Sequence, residues 1–482
     1  MTTQAIPTHG SWLDGHDVRG PARSEVHDKF DGTVLAYVYE ADAQITRRAV
    51  EIARKAADGA NWPVRERAAV LERTAHEVEC NVDSLADDIA RETGFTVADC
   101  AGDIRRAVET LRLSGQEATR LTGEVVPVGS AAGFEDRLAF TMRVPVGVVC
   151  AITPFNSPLN TVAHKIAPAL AAGNTVVLSP STHTPLAALW LTHALERNGL
   201  PPGRLNVVLG GADPVGSTLL DDDRLDFFTF TGSTAVGRTI ARHLGLRRAN
   251  LELGNVSATI VCADAHLEHA VASIARAGFR KAGQVCTSVQ RLYVERGVVD
   301  AVARRLADVA DGMHVGDPRA ADTEVGPMIS EASAVRAEGW VESAVAEGAR
   351  RMTTRGRDGA LFPPTVLTNV STTAQVVCEE IFAPVISIIP FDTFDEAIDA
   401  VNASPYGLQA GIFTQDIDRA LSAAKRLRVG GVVINETSST RADLMPYGGV
   451  KSSGYGKEGP RYAIREMTDE RLVLIDHRPG DA

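Results

Sequence analysis

Cysteine is scarce in this chain: six in 482 residues, at Cys80, Cys100, Cys150, Cys262, Cys286 and Cys378, with no Cys-x-x-Cys pair. That excludes a disulfide scaffold and leaves free thiols in a reducing compartment, the cytoplasm, as the expectation. Long apolar runs are missing too. No stretch approaches the ~20 residues of a membrane span, and Met1–Gly20 carries His9, Asp14, His16, Asp17 and Arg19 where a signal segment has an apolar core. Basic charge is in deficit, with 49 Lys plus Arg against 61 Asp plus Glu and a net charge of −12. A nucleic-acid surface needs clustered basic charge and is excluded. A small anionic substrate stays open, because a few local arginines outweigh the global field. The 42 glycines follow no Gly-X-Y period, and there is no internal repeat, low-complexity segment or long linker. The nearest pair of metal-type ligands, His266 and His269, stands alone on an expected helix, so no metal is expected.

What remains has an ordinary globular balance, 44% apolar and 23% charged. The length fits about three domains or one large multi-lobed enzyme. Helical periodicity covers 43–60, 64–91 and about 98–121. Extended pieces at 124–128 and 138–144, separated by the Gly-Ser-Ala-Ala-Gly run at 129–133, read as a hairpin projecting from the body. From Val146 the texture becomes strand, helix, strand: 146–152, 159–171, 175–178, 185–198, 205–209, 227–231 and 234–244. That alternation predicts an α/β fold with a parallel sheet covered on both faces. A second α/β stretch runs from Ser257–Cys262 through helices at 266–281 and 298–311 to strands near 384–389 and 431–434.

Four places could carry chemistry. Cys286, in Gly283-Gln284-Val285-Cys286, is either a nucleophile on a Gly-led turn or a small buried hydrophobe. Glu252 lies between two leucines. Apolar surroundings would raise its pKa toward that of a general base, whereas the alternative is a helix cap or surface acid. Asn156, in a turn between Pro154 and Pro158, could donate its amide to an oxyanion or serve as an ordinary turn residue. The loop Gly232-Ser233-Thr234-Ala235-Val236-Gly237 follows a strand and opens a helix whose free N–H groups attract anions. It is not the G-x-G-x-x-G fingerprint.

Taken in order, these pieces resemble the aldehyde dehydrogenase superfamily over nearly the whole chain. The resemblance also rests on Ala167-Pro168-Ala169-Leu170-Ala171-Ala172-Gly173-Asn174, Glu252-Leu253-Gly254, Glu379-Glu380-Ile381-Phe382-Ala383-Pro384 and Pro446-Tyr447-Gly448-Gly449-Val450-Lys451-Ser452-Ser453-Gly454. It implies that Cys286 attacks an aldehyde, Asn156 and the Cys286 N–H hold the oxyanion, and Glu252 activates the water that hydrolyses the thioester. Thr153, Phe155, Ser179, Thr182, Gly232, Ser233, Leu253, Glu380 and Phe382 match positions around a nicotinamide cofactor, and Lys165 with Glu458 matches a proton path. The implied architecture is a Rossmann-like cofactor-binding lobe (1–122 and 146–254), an α/β catalytic lobe (255–464) and an oligomerisation arm (123–145 and 465–482) building a homodimer or homotetramer.

Departures from the family pattern bear on specificity. Ser179 replaces a usual lysine, and Thr182 stands where NAD-preferring members have Glu, so dual use of NAD and NADP is expected. Asn255 and Ala383 replace glycines. Arg441, in the run Asn435–Pro446, is a candidate partner for a small polar or anionic aldehyde. The rival readings are a CoA-acylating semialdehyde dehydrogenase, whose relatives lack the acid at Glu252, and a non-catalytic relative, which would have lost Cys286, Glu252 or Asn156.

Overall fold

Five apolar strands, buried on both faces, build the first sheet. Val148–Ile152, Thr175–Ser179, Leu205–Val207, Phe227–Thr231 and Arg248–Glu252 run parallel, the signature of a sheet covered by helices. A computed structural model describes residues 5–476; residues 1–4 of the expected cofactor lobe and 477–482 of the expected arm lie outside the described residues. The edges of this sheet come from distant parts of the chain. Gly454–Tyr455 adds antiparallel beside Arg248–Glu252, and Ser11–Leu13 adds antiparallel beside Leu205–Val207. Helices Asn160–Ala172 and Pro185–Arg197 cover the sheet, the first stopped by Gly173 at φ 97°, which a side chain rarely adopts.

The second sheet has seven strands, with Arg291–Glu295 at its centre and Ala258–Val261 between that strand and Gln409–Phe413. Six of the seven run parallel, and only the edge strand Arg350–Arg351 is antiparallel. Each sheet has its own apolar core. The fold is thus α/β, as the alternation predicts.

Two differences from the sequence reading have physical causes. The helical stretch 64–91 is two helices, Val64–Cys80 and Val82–Thr93. Between them Asn81 turns its side chain onto the Glu77 carbonyl at 2.8 Å, competing with the helical backbone. The hairpin is observed as Val125–Val126 against Arg137–Pro145, but a third strand, Thr468–Asp476, pairs with Arg137–Pro145 over nine positions. Its apolar Val125, Leu138, Met142, Leu472 and Leu474 side chains are exposed.

Candidate active site

Ile152, Thr231 and Glu252 lie side by side at the carboxyl ends of three adjacent parallel strands, where α/β sheets bind their ligands. A cavity of about 440 Å³ opens there, walled by the Pro154–Ser157 turn, Glu252 and, from the second sheet's side, the Cys286 loop. That loop follows helix Leu267–Phe279 through three consecutive left-handed residues, Lys281, Ala282 and Gly283 (φ 53°, 51° and 68°). Gly283 is required. A Cβ there would lie 2.2 Å from the Ala383 carbonyl carbon.

Cys286 is the only cysteine on the cavity wall. Its sulfur lies 3.1 Å from the Tyr447 hydroxyl. Burial pushes the thiol up to about 11, helped by the charges of Glu380 and Glu252, while the Tyr447 bond and Arg441 pull it back. Neither Glu252 oxygen has a hydrogen-bond partner among the described residues. Burial, then the nearby Glu458 charge, raises this carboxyl well above the usual range, which is the condition of a general base rather than a cap. Asn156 donates one amide hydrogen to the Gln284 carbonyl at 2.8 Å, leaving its second hydrogen for another acceptor.

Along this wall runs a largely buried charge network. Lys165 donates to Glu458 at 2.6 Å, and Arg441 donates to the other Glu458 oxygen at 3.0 Å. These two cations hold Glu458 well below the usual carboxylate range against its burial. Arg441 also stacks over the Tyr447 ring at 3.8 Å, so its charge is already matched within the protein.

Of the cofactor candidates, Phe155, Gly232, Ser233, Leu253, Glu380 and Phe382 line the first cavity. Thr153, Ser179 and Thr182 line a second cavity of about 580 Å³, with Val236 and Thr239 on the helix that Ser233 caps. Glu380 accepts from the Asn255 N–H at 3.0 Å, and burial pushes it up to about 7. A Cβ on Gly254 would lie 2.5 Å from the same carboxylate. The rings of Phe155 and Phe382 meet edge to face at 5.9 Å.

Several wall residues carried no signal in the sequence. Arg106, His164, Arg280, Arg336 and Ser439 line the cavity, and Tyr447, within the Pro446–Gly454 motif, touches Cys286. Among the described residues no three His, Cys, Asp or Glu side chains form a metal-sized cluster, and no helix is long and apolar enough to cross a membrane. His269 faces the Asn435 carbonyl.

Residues 16–473 match the aldehyde dehydrogenase family, and the chain belongs to it. It is therefore an oxidoreductase of the aldehyde dehydrogenase class. It is 45% identical over 471 residues to a 3-sulfolactaldehyde dehydrogenase from Priestia aryabhattai, covering 98% of each chain. The structure of aldehyde dehydrogenase 21 from Physcomitrella patens, in complex with the reaction product succinate, matches with a TM-score of 0.94 at 33% identity, covering 98% of this chain and 99% of that one. A glyceraldehyde-3-phosphate dehydrogenase from Methanocaldococcus jannaschii, complexed with NADP, matches with a TM-score of 0.90 at 36% identity, covering 94% and 99%.

Proposed function

We propose that this chain oxidises a short aldehyde bearing an anionic end group to the carboxylic acid, using NAD or NADP as acceptor. The observation that carries the end group is Arg280. Arg106 is paired bidentately with Asp443 (2.8 and 3.1 Å), Arg441 with Glu458, and Arg336 donates to the Ile381 carbonyl near Glu380. Arg280 instead bonds only a hydroxyl, Ser439 Oγ at 2.8 Å, and forms no ion pair among the described residues. An unmatched guanidinium beside two hydroxyls, Ser439 and Thr287, suits a carboxylate, sulfonate or phosphate. The names of the three relatives specify a sulfonate-bearing substrate, a carboxylate product and a phosphate-bearing substrate.

In this reading the Cys286 thiolate adds to the aldehyde carbon, and the new oxyanion takes the free Asn156 amide hydrogen and the Cys286 N–H. One missing donor of this kind costs about 10²–10³-fold in rate. The Gly232–Ser233 helix start, the hydroxyls of Ser179 and Thr182, and the Glu380 carboxylate fit a dinucleotide and would hold its pyrophosphate, adenosine ribose and nicotinamide ribose. When bound, that group supplies the hydride acceptor that the thiohemiacetal needs to become a thioester. Glu252 then removes a proton from the attacking water, and Lys165 with Glu458 offers an exit for it. A carboxyl poised for this work favours hydrolysis over transfer to CoA. The division into a cofactor lobe (1–122 and 146–254), a catalytic lobe (255–464) and an arm (123–145 and 465–482) belongs to the same reading. So does a homodimer or homotetramer joined through the arm's exposed apolar face, working among free thiols in the cytoplasm.

The test is a panel of aldehydes of equal length ending in sulfonate, phosphate, carboxylate or hydroxyl, assayed with each cofactor. An anionic member should exceed the neutral one in kcat/KM by at least about tenfold, and Arg280→Gln should erase that margin while sparing the neutral substrate. Equal preference in the wild-type enzyme refutes the anionic end group.

A further inference from the structure

We propose that Lys281 is a positioning residue for the oxyanion donor, locking the Asn156 turn against the Cys286 loop. The inference rests on the oxyanion role given above to Asn156. Lys281 is 3% exposed, and its ammonium has exactly as many acceptors as hydrogens: Asp103 Oδ2 at 2.7 Å, the Asn156 carbonyl at 2.9 Å and Ser157 Oγ at 2.9 Å. The charge lies 5.3 Å from the Phe95 ring centre. The three hydrogen bonds join the loop leading to the nucleophile to helix Val97–Ala118 and to the turn after the Val148–Ile152 strand.

The backbone around Lys281 is held as tightly as its side chain. A left-handed conformation is disfavoured for a residue with a Cβ, which crowds the following carbonyl oxygen. Lys281 and Ala282 both adopt it, so the segment persists only with outside support. Asp99 accepts from the Lys281 N–H at 3.2 Å, and the Lys281 carbonyl accepts from the Gln284 side chain at 3.2 Å. Gln284 in turn accepts the Asn156 amide on its own carbonyl at 2.8 Å. Asn156 is thereby gripped twice, its carbonyl by Lys281 and its amide by Gln284, both within the six residues ending at Cys286. The second amide hydrogen is aimed by this double grip. Asp103 anchors the clamp: burial would raise its carboxyl, and Lys281 first and Arg106 next bring it below the usual range.

Removing Lys281 alone would strand the buried Asp103 charge, so the test removes both charges together, as Lys281→Met with Asp103→Leu. Acylation is read as single-turnover hydride transfer per active site, with sites counted by mass-spectrometric alkylation of Cys286. The expected result is a rate lower by about 10- to 100-fold, with the cofactor dissociation constant moved less than about twofold, since misplacement by about 1 Å carries a penalty of that order. In an Asn156→Ala background the same pair should slow acylation by less than about threefold, because the group it positions is gone. Asp103→Asn, which keeps Lys281 but weakens its anchor, should give an intermediate loss and carries the test if the double variant does not fold. An unchanged rate per site, or an undiminished loss in the Asn156→Ala background, overturns the proposal. If Asn156→Ala alone acylates at the wild-type rate, the oxyanion reading itself is wrong and Lys281 has nothing to position.

Discussion

The Tyr447 hydroxyl lies 3.1 Å from the Cys286 sulfur, and the Arg441 guanidinium covers the other side of the contact by stacking on the Tyr447 ring. Both oppose the burial that pushes the thiol up to about 11. Removing the hydroxyl therefore moves the thiol still higher, and less thiolate is present at any pH below it. Tyr447→Phe should lower the acylation rate at pH 8 by about tenfold, the equivalent of one hydrogen bond to a charged group. Iodoacetamide labelling of Cys286 between pH 7 and 10.5 checks this. The rising limb should shift upward by about one pH unit, and an unmoved limb means that Tyr447 does not tune the thiol.

Glu252 is raised by burial and by Glu458, so its proton comes off at higher pH than that of a free carboxyl, and hydrolysis should quicken with pH above the usual carboxylate range. Glu252→Gln removes the base but not the nucleophile. Rapid mixing should give a burst of reduced cofactor near one equivalent per site, then turnover slower by about 10²–10⁴-fold. Cys286→Ala should give no burst at all. Equal loss of both phases in Glu252→Gln would make Glu252 the activator of Cys286 instead.

In the proposed function, cofactor choice turns on the second cavity. Ser179 and Thr182 offer hydroxyls there without formal charge, and burial lowers the neighbouring His183, keeping it neutral at pH 7. Nothing in this set repels or pairs with a ribose phosphate, so NAD and NADP should differ by less than about tenfold in kcat/KM. Thr182→Glu should depress the NADP value more than the NAD value. A hundredfold wild-type preference either way contradicts the dual reading.

Far from the chemistry, Glu92 caps helix Pro185–Arg197 from the side, accepting from the Leu186 N–H at 2.6 Å and the Ala187 N–H at 3.3 Å. Burial nonetheless pushes it up to about 7. Its folded value lies above its unfolded one, so the folded state takes up a proton, and stability falls as pH rises from about 4.5 through 7. Glu92→Gln should therefore gain about 2–3 kcal/mol relative to wild type at pH 8 compared with pH 4. Denaturant melts at the two pH values decide it, and a pH-independent difference would mean that folding leaves the Glu92 pKa unshifted.

The strand Phe227–Thr231 was legible at its observed bounds because a strand buried on both faces leaves an unbroken apolar run between turn signals. Thr8–His9, Ser11–Leu13 and His16–Val18 were not, being only two or three residues long, nor was Ala22–His27, which is mostly polar and half exposed. Site residues inside motifs, Cys286, Glu252 and Asn156, were readable because each sits at a turn or strand end. Lys281 and Asp103 were not: nothing local in a helical Asp or a loop Lys announces a partner 178 positions away. Arg441 is readable in the run Asn435–Pro446 as a candidate anion partner, but only the fold brings Glu458 against it.

The strand Arg137–Pro145 takes its long partner, Thr468–Asp476, from near the far end of the chain. A ribosome adds about 5–20 residues per second, so the two meet only tens of seconds after the first has been made. Until then the arm is a two-residue ladder, too small to stand alone in water. A polypeptide that stops before Thr468 could fold its first helices yet would never display the finished three-stranded arm.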